Sequence, residues 1–204
     1  MEHYSYKTIK SRSQGLFRDR GSKFLAFAFH VTTEVQIKEI LDDLRSEYND
    51  ARHHCYAWII GTDKDHFRAN DDGEPSGTAG RPVLGQIQKH DLTNILIVVI
   101  RYFGGTLLGT GGLINAYRSA AADALANSEI ITKTIDELIE LKFPYAAMNY
   151  VMKVLKEEQA EQVVQDFDMD CSIKVSIPLE RSEMLARRLK GIGKVSVNKL
   201  SINY

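Results

Sequence analysis

The run Ile95-Leu96-Ile97-Val98-Val99-Ile100 has no polar residue at either parity, so a strand built from it has no face to give to water. It belongs in the interior of a sheet with a packed layer on each side, which dictates a mixed α and β architecture around it. The same run is the longest strongly apolar stretch and is far too short to cross a bilayer. Two glycine-bearing loops bracket it. The first is Asp71-Asp72-Gly73-Glu74-Pro75-Ser76-Gly77-Thr78-Ala79-Gly80-Arg81-Pro82, and the second runs Arg101-Tyr102-Phe103-Gly104-Gly105-Thr106-Leu107-Leu108-Gly109-Thr110-Gly111-Gly112. Most of the chain's 14 glycines fall between Gly73 and Gly112. Glycine lets another group come close to the main chain, and this concentration marks Asp71 to Leu125 as the expected functional surface.

Periodicity supplies the other elements. Tyr4 to Ile9 and Lys23 to Val31 read as strands, with a polar strand and turns between Ser11 and Ser22. Thr32 or Thr33 can cap a helix whose Val35, Ile37, Ile40, Leu41, Leu44 and Tyr48 recur at helical spacing. His53 to Gly61 alternates, putting His54, Tyr56, Trp58 and Ile60 on one face and His53, Cys55, Ala57 and Ile59 on the other. Pro82 to His90 reads as a short helix that tolerates Pro82 in its first turn. After the second loop, Leu113, Tyr117, Ala120, Ala121, Ala124 and Leu125 form the stripe of a helix packed closely on a sheet.

Between Asn127 and Asp136 the character changes. The order that follows is strand (135–143), helix (146–159), strand (162–167), strand (171–179), helix (180–190) and strand (194–202), the split βαβ or ferredoxin-like pattern. The expected fold class is therefore α+β in two domains, an N-terminal α/β domain over 1–132 and a ferredoxin-like βαββαβ domain over 133–204.

Lys plus Arg (26) balance Asp plus Glu (27), which removes a global polycation as the basis of any nucleic-acid binding and leaves only a local patch. No DNA preference is evident. The polar segment Met1 to Lys10 lacks the apolar core of a signal peptide, and Cys55 and Cys171 are far apart without a C-x-x-C pair. These features lead to the expectation of a cytoplasmic protein with no membrane partner.

Strand, Arg101, glycine loop and helix together make an anion site, with free N–H groups at the helix start and a planar charge beside them. The glycines serve equally well for tight turning and close helix packing. No Walker or Rossmann fingerprint is present, because no Lys-Ser or Lys-Thr follows Gly111-Gly112 and a third glycine is missing after Gly109-x-Gly111. Asp71, Asp72 and Glu74, beside the Ser76 and Thr78 hydroxyls, can hold a hard cation, pair with Arg81 and Arg101, or simply cap and solvate a turn. His53, Cys55 and His66 lack a fourth ligand for zinc, so no metal and no cofactor is expected. Tyr102 and Phe103 beside Arg101 suit base stacking with phosphate contact, or else a strand end in the core, and Lys23 can add charge. The candidate binding residues are Lys23, His53, Asp72, Glu74, Ser76, Thr78, Arg101, Tyr102, Gly104, Gly105, Gly111 and Gly112, with no catalytic residue among them.

The two loops, together with Val98-Val99-Ile100-Arg101-Tyr102-Phe103-Gly104-Gly105, Ala51-Arg52-His53-His54-Cys55 and Ser22-Lys23-Phe24-Leu25, closely resemble the signature of the YigZ/IMPACT family. The resemblance covers the first domain by motif and the second by element order. It implies an N-terminal domain related to the second domain of a small-subunit ribosomal protein. That fold is shared with a translocating elongation factor, the protein of ribonuclease P and a superfamily of small-molecule kinases. The C-terminal domain would resemble the last domain of the same elongation factor.

The eukaryotic branch regulates translation by binding the activator of a starvation-sensing kinase through an added N-terminal domain. That domain is not expected here, since the motifs begin close to Met1, and its partner is not carried over. What the resemblance implies is a non-enzymatic regulatory protein tied to translation, with RNA or the ribosome as partner and a phosphate-bearing group at the glycine-loop surface. The alternative is an enzyme acting on a small phosphorylated or nucleotide-like ligand. It would use the second loop as phosphate cradle and Asp72, Glu74 or His53 as acid, base or cation ligand.

Overall fold

A computed structural model describes residues 4–167, 170–191 and 193–203, so the Met1–His3 part of the polar N-terminal segment lies outside the described residues. The chain divides into two units, Tyr6–Thr132 and a second made of Lys133 onward together with Tyr4 and Ser5.

The first unit carries most of β1 (Ser5–Ile9), β2 (Ser13–Asp19), β3 (Ser22–His30), α1 (Glu34–Glu47), β4 (His53–Ile60), β5 (His66–Asn70), α2 (Gly80–Lys89), β6 (Ile95–Tyr102), α3 (Gly109–Ala126) and most of β7 (Ile130–Thr134). Five strands form one sheet in the order β2-β3-β6-β4-β5, each neighbouring pair antiparallel, and β1 pairs with β7. β6 is the central strand, and every residue from Ile95 to Ile100 is 0% exposed. Its two parities separate as an apolar run demands. Ile95, Ile97 and Val99 pack with Val83 and Ile87 of α2 and Leu113 and Tyr117 of α3. Leu96, Val98 and Ile100 pack with Ile37, Leu41 and Leu44 of α1. β4 obeys the same alternation, sending Cys55, Ala57 and Ile59 to the first layer and Tyr56 and Trp58 to the second.

Thr33 starts α1 with a reciprocal cap, its hydroxyl accepting from the Gln36 N–H while the Gln36 side chain accepts from the Thr33 N–H. The alanines of α3 let that helix lie almost on the sheet backbone. At Gly15 of β2 an added Cβ would stand 2.2 Å from the Ala124 nitrogen. Ser13 donates to the Ala124 carbonyl at 2.8 Å, and Asp123 accepts from the Leu16 N–H at 2.8 Å, fixing the contact.

Two strands do not follow from the pattern. β5 is an edge strand whose first three residues are exposed, so it has no apolar face to reveal it. β7 shows outward alternation only, with Ile130, Thr132 and Thr134 exposed.

The second unit is a ferredoxin-like βαββαβ fold: β8 (Asp136–Pro144), a 3-10 turn (Tyr145–Ala147), α4 (Met148–Glu157), β9 (Glu161–Phe167), β10 (Asp170–Pro178), α5 (Leu179–Lys190) and β11 (Ser196–Asn203). The sheet order is β11-β8-β10-β9, all antiparallel. Ile139, Leu141 and Phe143 of β8 and Ile173, Val175 and Ile177 of β10 pack under Val151 and Leu155 of α4 and Leu185 and Leu189 of α5. Glu158, just past α4, is 5% exposed and accepts from Arg188 and, at 3.1 Å, from Arg181 of α5. The Arg188 hydrogen bond, above all, holds this carboxyl below the ordinary range.

The Gly15 contact is testable. Replacing Gly15 with alanine forces α3 off β2 and should destabilise the protein by about 1–3 kcal/mol, read as a lower urea midpoint with unchanged m-value. An unshifted midpoint would refute the close approach.

Candidate ligand-binding site

The first glycine loop is wound around one carboxylate. Asp71 accepts from the N–H groups of Gly77 (2.7 Å), Ala79 (3.0 Å) and Gly80 (2.8 Å), and its carbonyl accepts from the Glu74 N–H at 2.9 Å. This remote capping satisfies the Ala79 and Gly80 donors at the start of α2, whose own N-cap Ala79 has no side-chain bond. It explains why the helix begins at Gly80 and not at Pro82.

The two acids that follow are likewise committed. Asp72 sits at φ +43°, and its carboxylate accepts from the His54 N–H at 2.6 Å. The Asp72 carbonyl lies 2.8 Å from His53 Nδ1. A carbonyl can only accept, so Nδ1 carries the proton and Nε2 is the ring atom left for a ligand. Glu74 is 4% exposed at its side chain and accepts on Oε1 from Arg101 Nη1 at 2.6 Å and from the Tyr117 hydroxyl at 2.7 Å. The three acidic side chains thus turn to three different partners and do not converge on a cation.

Behind Glu74, Cys55 Sγ is 2.9 Å from the Asp71 carbonyl and 3.3 Å from the Tyr117 hydroxyl. Burial pushes both the Cys55 thiol and the Tyr117 hydroxyl well above their ordinary values. Both stay protonated, so Cys55 acts as a buried donor and not as a nucleophile.

Arg101 is 7% exposed and lies between two rings, 5.6 Å from the centroids of both Phe24 and Phe103. Phe24 in turn meets Tyr117 edge-on at 5.1 Å. Opposite Arg101 in the β4–β6 register stands His53. Here opens a cavity of about 530 Å³ lined by Asp50, Ala51, Arg52, His53, Arg101, Tyr102, Phe103 and Leu107. The Tyr102 hydroxyl donates to Asp50 at 2.7 Å, and that bond leads the causes pushing Tyr102 up to about 12.

Of the residues expected from sequence, His53, Arg101 and Tyr102 meet at this cavity. Asp72 and Glu74 form its support. Lys23 lies 6.0 Å from the Tyr102 ring centroid. Thr78 is buried and donates to the Pro75 carbonyl at 2.6 Å, whereas Ser76 is exposed on the loop. Gly104 is required for close approach: its N–H donates to the Ser22 hydroxyl at 3.1 Å, and a Cβ there would stand 1.9 Å from the Gly21 carbonyl carbon. Gly105 has φ +84° and ample room, and Gly111 and Gly112 lie in the first turn of α3, which has no side-chain cap. Phe103, which the sequence pairs with Tyr102 for base stacking, also lines the cavity, whereas Asp50, Arg52 and Leu107 as cavity residues and Tyr117 as the second partner of Glu74 are not evident from sequence. The Ala51–Cys55 segment was visible as a motif, but the register that sets it against β6 was not.

A model of the Impact N-terminal domain matches residues 20–125. The chain is 32% identical over 183 residues to the IMPACT family member YigZ of Escherichia coli, covering 89% of this chain and 90% of that one. The chain belongs to the IMPACT family. The family member YvyE of Bacillus subtilis is 34% identical over 157 residues, covering 76% of this chain and 72% of its own length. A crystal structure described only as that of a hypothetical protein is similar over 98% of this chain and 99% of its own, with a TM-score of 0.76 at 28% identity. IMPACT family membership thus extends over both units, beyond the domain model alone.

Two predictions concern the site's framework. Glu74→Ala leaves the Arg101 charge buried without its partner and should cost about 3–5 kcal/mol, whereas Tyr117→Phe removes the hydroxyl's bond to Glu74 and its contact with Cys55 and should cost about 1–3 kcal/mol; urea unfolding of each separates the two. His54, 6% exposed, has its pKa lowered from 6.5, first by burial. The unfolded chain therefore binds this proton more readily. The stability from neutral His54 is complete above pH 6.5 and is lost as pH falls below it toward the depressed folded value. Melting temperature should drop between pH 7.5 and 5.5, and His54→Asn should flatten that drop; an equal drop in the variant would exclude His54 as its source.

Proposed function

We propose that this IMPACT family member is a non-enzymatic regulator of translation that engages RNA or the ribosome through a phosphate-bearing group at the cavity beside the second glycine loop. The observation that carries this reading is the charge left uncovered there. Arg52 is exposed and has no ion-pair partner among the described residues, and it lines the cavity together with His53 and Arg101. Phosphate contacts of this kind supply most of the affinity of RNA and ribosome binders, and they do so without sequence preference. The near-zero net charge of the chain leaves such binding to a local cation, and Arg52 supplies one.

The enzymatic alternative finds less support. Of the groups that would serve as acid, base or cation ligand, Asp72 and Glu74 are spent on protein donors, which leaves His53 Nε2 alone among the three. Asp71, which could have joined them, holds the loop together instead.

Arg52 is also the better probe than Arg101. Substituting Arg101 removes half of a buried ion pair, so lost binding and lost stability would be mixed. Arg52→Ala should leave the melting temperature unchanged and weaken association with purified ribosomes or total RNA. It should also lower the slope of log affinity against log salt by about 1. Wild type that fails to associate at low salt would refute the reading.

A further inference from the structure

The uncharged wall of the same cavity is not explained by a phosphate. Phe103 is 52% exposed and Leu107 81% exposed, an apolar surface that an anion alone would not use. Phe103 is also the outer layer of an ordered stack. Tyr117 packs edge-on against Phe24, Arg101 lies against Phe24, and Phe103 lies against Arg101, each ring-to-cation distance being 5.6 Å. The inner layers are buried, and the series ends at Phe103, which is half exposed. A cation held on the inner face draws electron density through the ring, so the outer face is suited to another flat, polarisable group.

The cavity lining is polar in two different ways. His53 stands opposite Arg101 in the β4–β6 register, Arg52 precedes His53, and the Nε of Arg101 is buried with no partner. Asp50, already held on one oxygen by Tyr102, is the acidic residue of the lining. A bare anion would gain from Arg52 and be repelled by Asp50. A nucleotide satisfies both, with its phosphate on Arg52, its base on Phe103, and an amino or hydroxyl donor on Asp50. About 530 Å³ accommodates one such unit, within the usual range of small-ligand sites. A base locked in a duplex cannot present its face to a ring, because its neighbours already cover it.

Building on the phosphate-binding function proposed above, we propose that the cavity takes a single unstacked nucleotide of single-stranded RNA, with the base laid on Phe103 as the next layer of the Tyr117–Phe24–Arg101–Phe103 stack. The phosphate gives affinity, and the stacking selects single strands over duplexes.

Fluorescence anisotropy with a 12-nucleotide RNA of mixed sequence, alone and annealed to its complement, tests this on the full chain. The single strand should bind at least tenfold more tightly than the duplex. Phe103→Ala should weaken the single strand by about 5- to 100-fold and leave duplex binding unchanged. Phe103→Trp should retain single-strand binding. Because Phe103 is half exposed, melting temperature is the control that its loss has not unsettled Arg101. Equal binding of single strand and duplex, or a Phe103→Ala effect below twofold with Arg52→Ala still weakening both, overturns the nucleotide site while leaving the phosphate-binding function standing. No binding of either RNA overturns both.

Discussion

A guanidinium at the end of a strand buried on both faces must be neutralised where it stands. β6 has no polar residue until Arg101, and Arg101 has almost no access to solvent. Glu74 meets it from the first glycine loop, so the loop has to arrive at one place and in one conformation. The winding of residues 71–80 on the Asp71 carboxylate provides that conformation, and Tyr117 of α3 provides the second donor that completes Glu74. The loop, the central strand and the long helix are thereby joined at one carboxylate oxygen. A buried pair of this kind contributes little net stability over an apolar substitute, but it penalises every arrangement in which the loop is elsewhere.

Much of the architecture was legible because burial leaves a periodic trace. Ile95 to Ile100 announced a central strand, the 53–60 alternation assigned its faces correctly, and the alanines of α3 announced a close helix. The ferredoxin-like order of the second unit followed in the same way. β5 left no trace, since an edge strand with an exposed face needs no apolar residues. The early start of α2 was hidden because its cap comes from Asp71, several residues back, and not from the residue before the helix.

The site was less legible than the fold, for a reason of register. Arg101, His53 and Tyr102 were identifiable from their chemistry, but which of them would face a cavity depended on how β4 lies against β6. That register brings His53 opposite Arg101 and draws Arg52 and Asp50 along with it. Conversely, the three neighbouring acids looked like one cluster in sequence and are three separate fastenings in space. Proximity along a chain with a residue at positive φ, as at Asp72, says little about where the side chains point.

The Asp71 winding has a kinetic consequence. A loop already hydrogen-bonded to its own carboxylate has little conformational freedom left to lose, so the wall behind the cavity is held in one shape before any partner arrives. Encounter at such a wall is governed by diffusion and orientation, and by the field of the exposed Arg52, without a slow rearrangement step. A regulator with such a surface equilibrates quickly with its partner and reports concentration, not history.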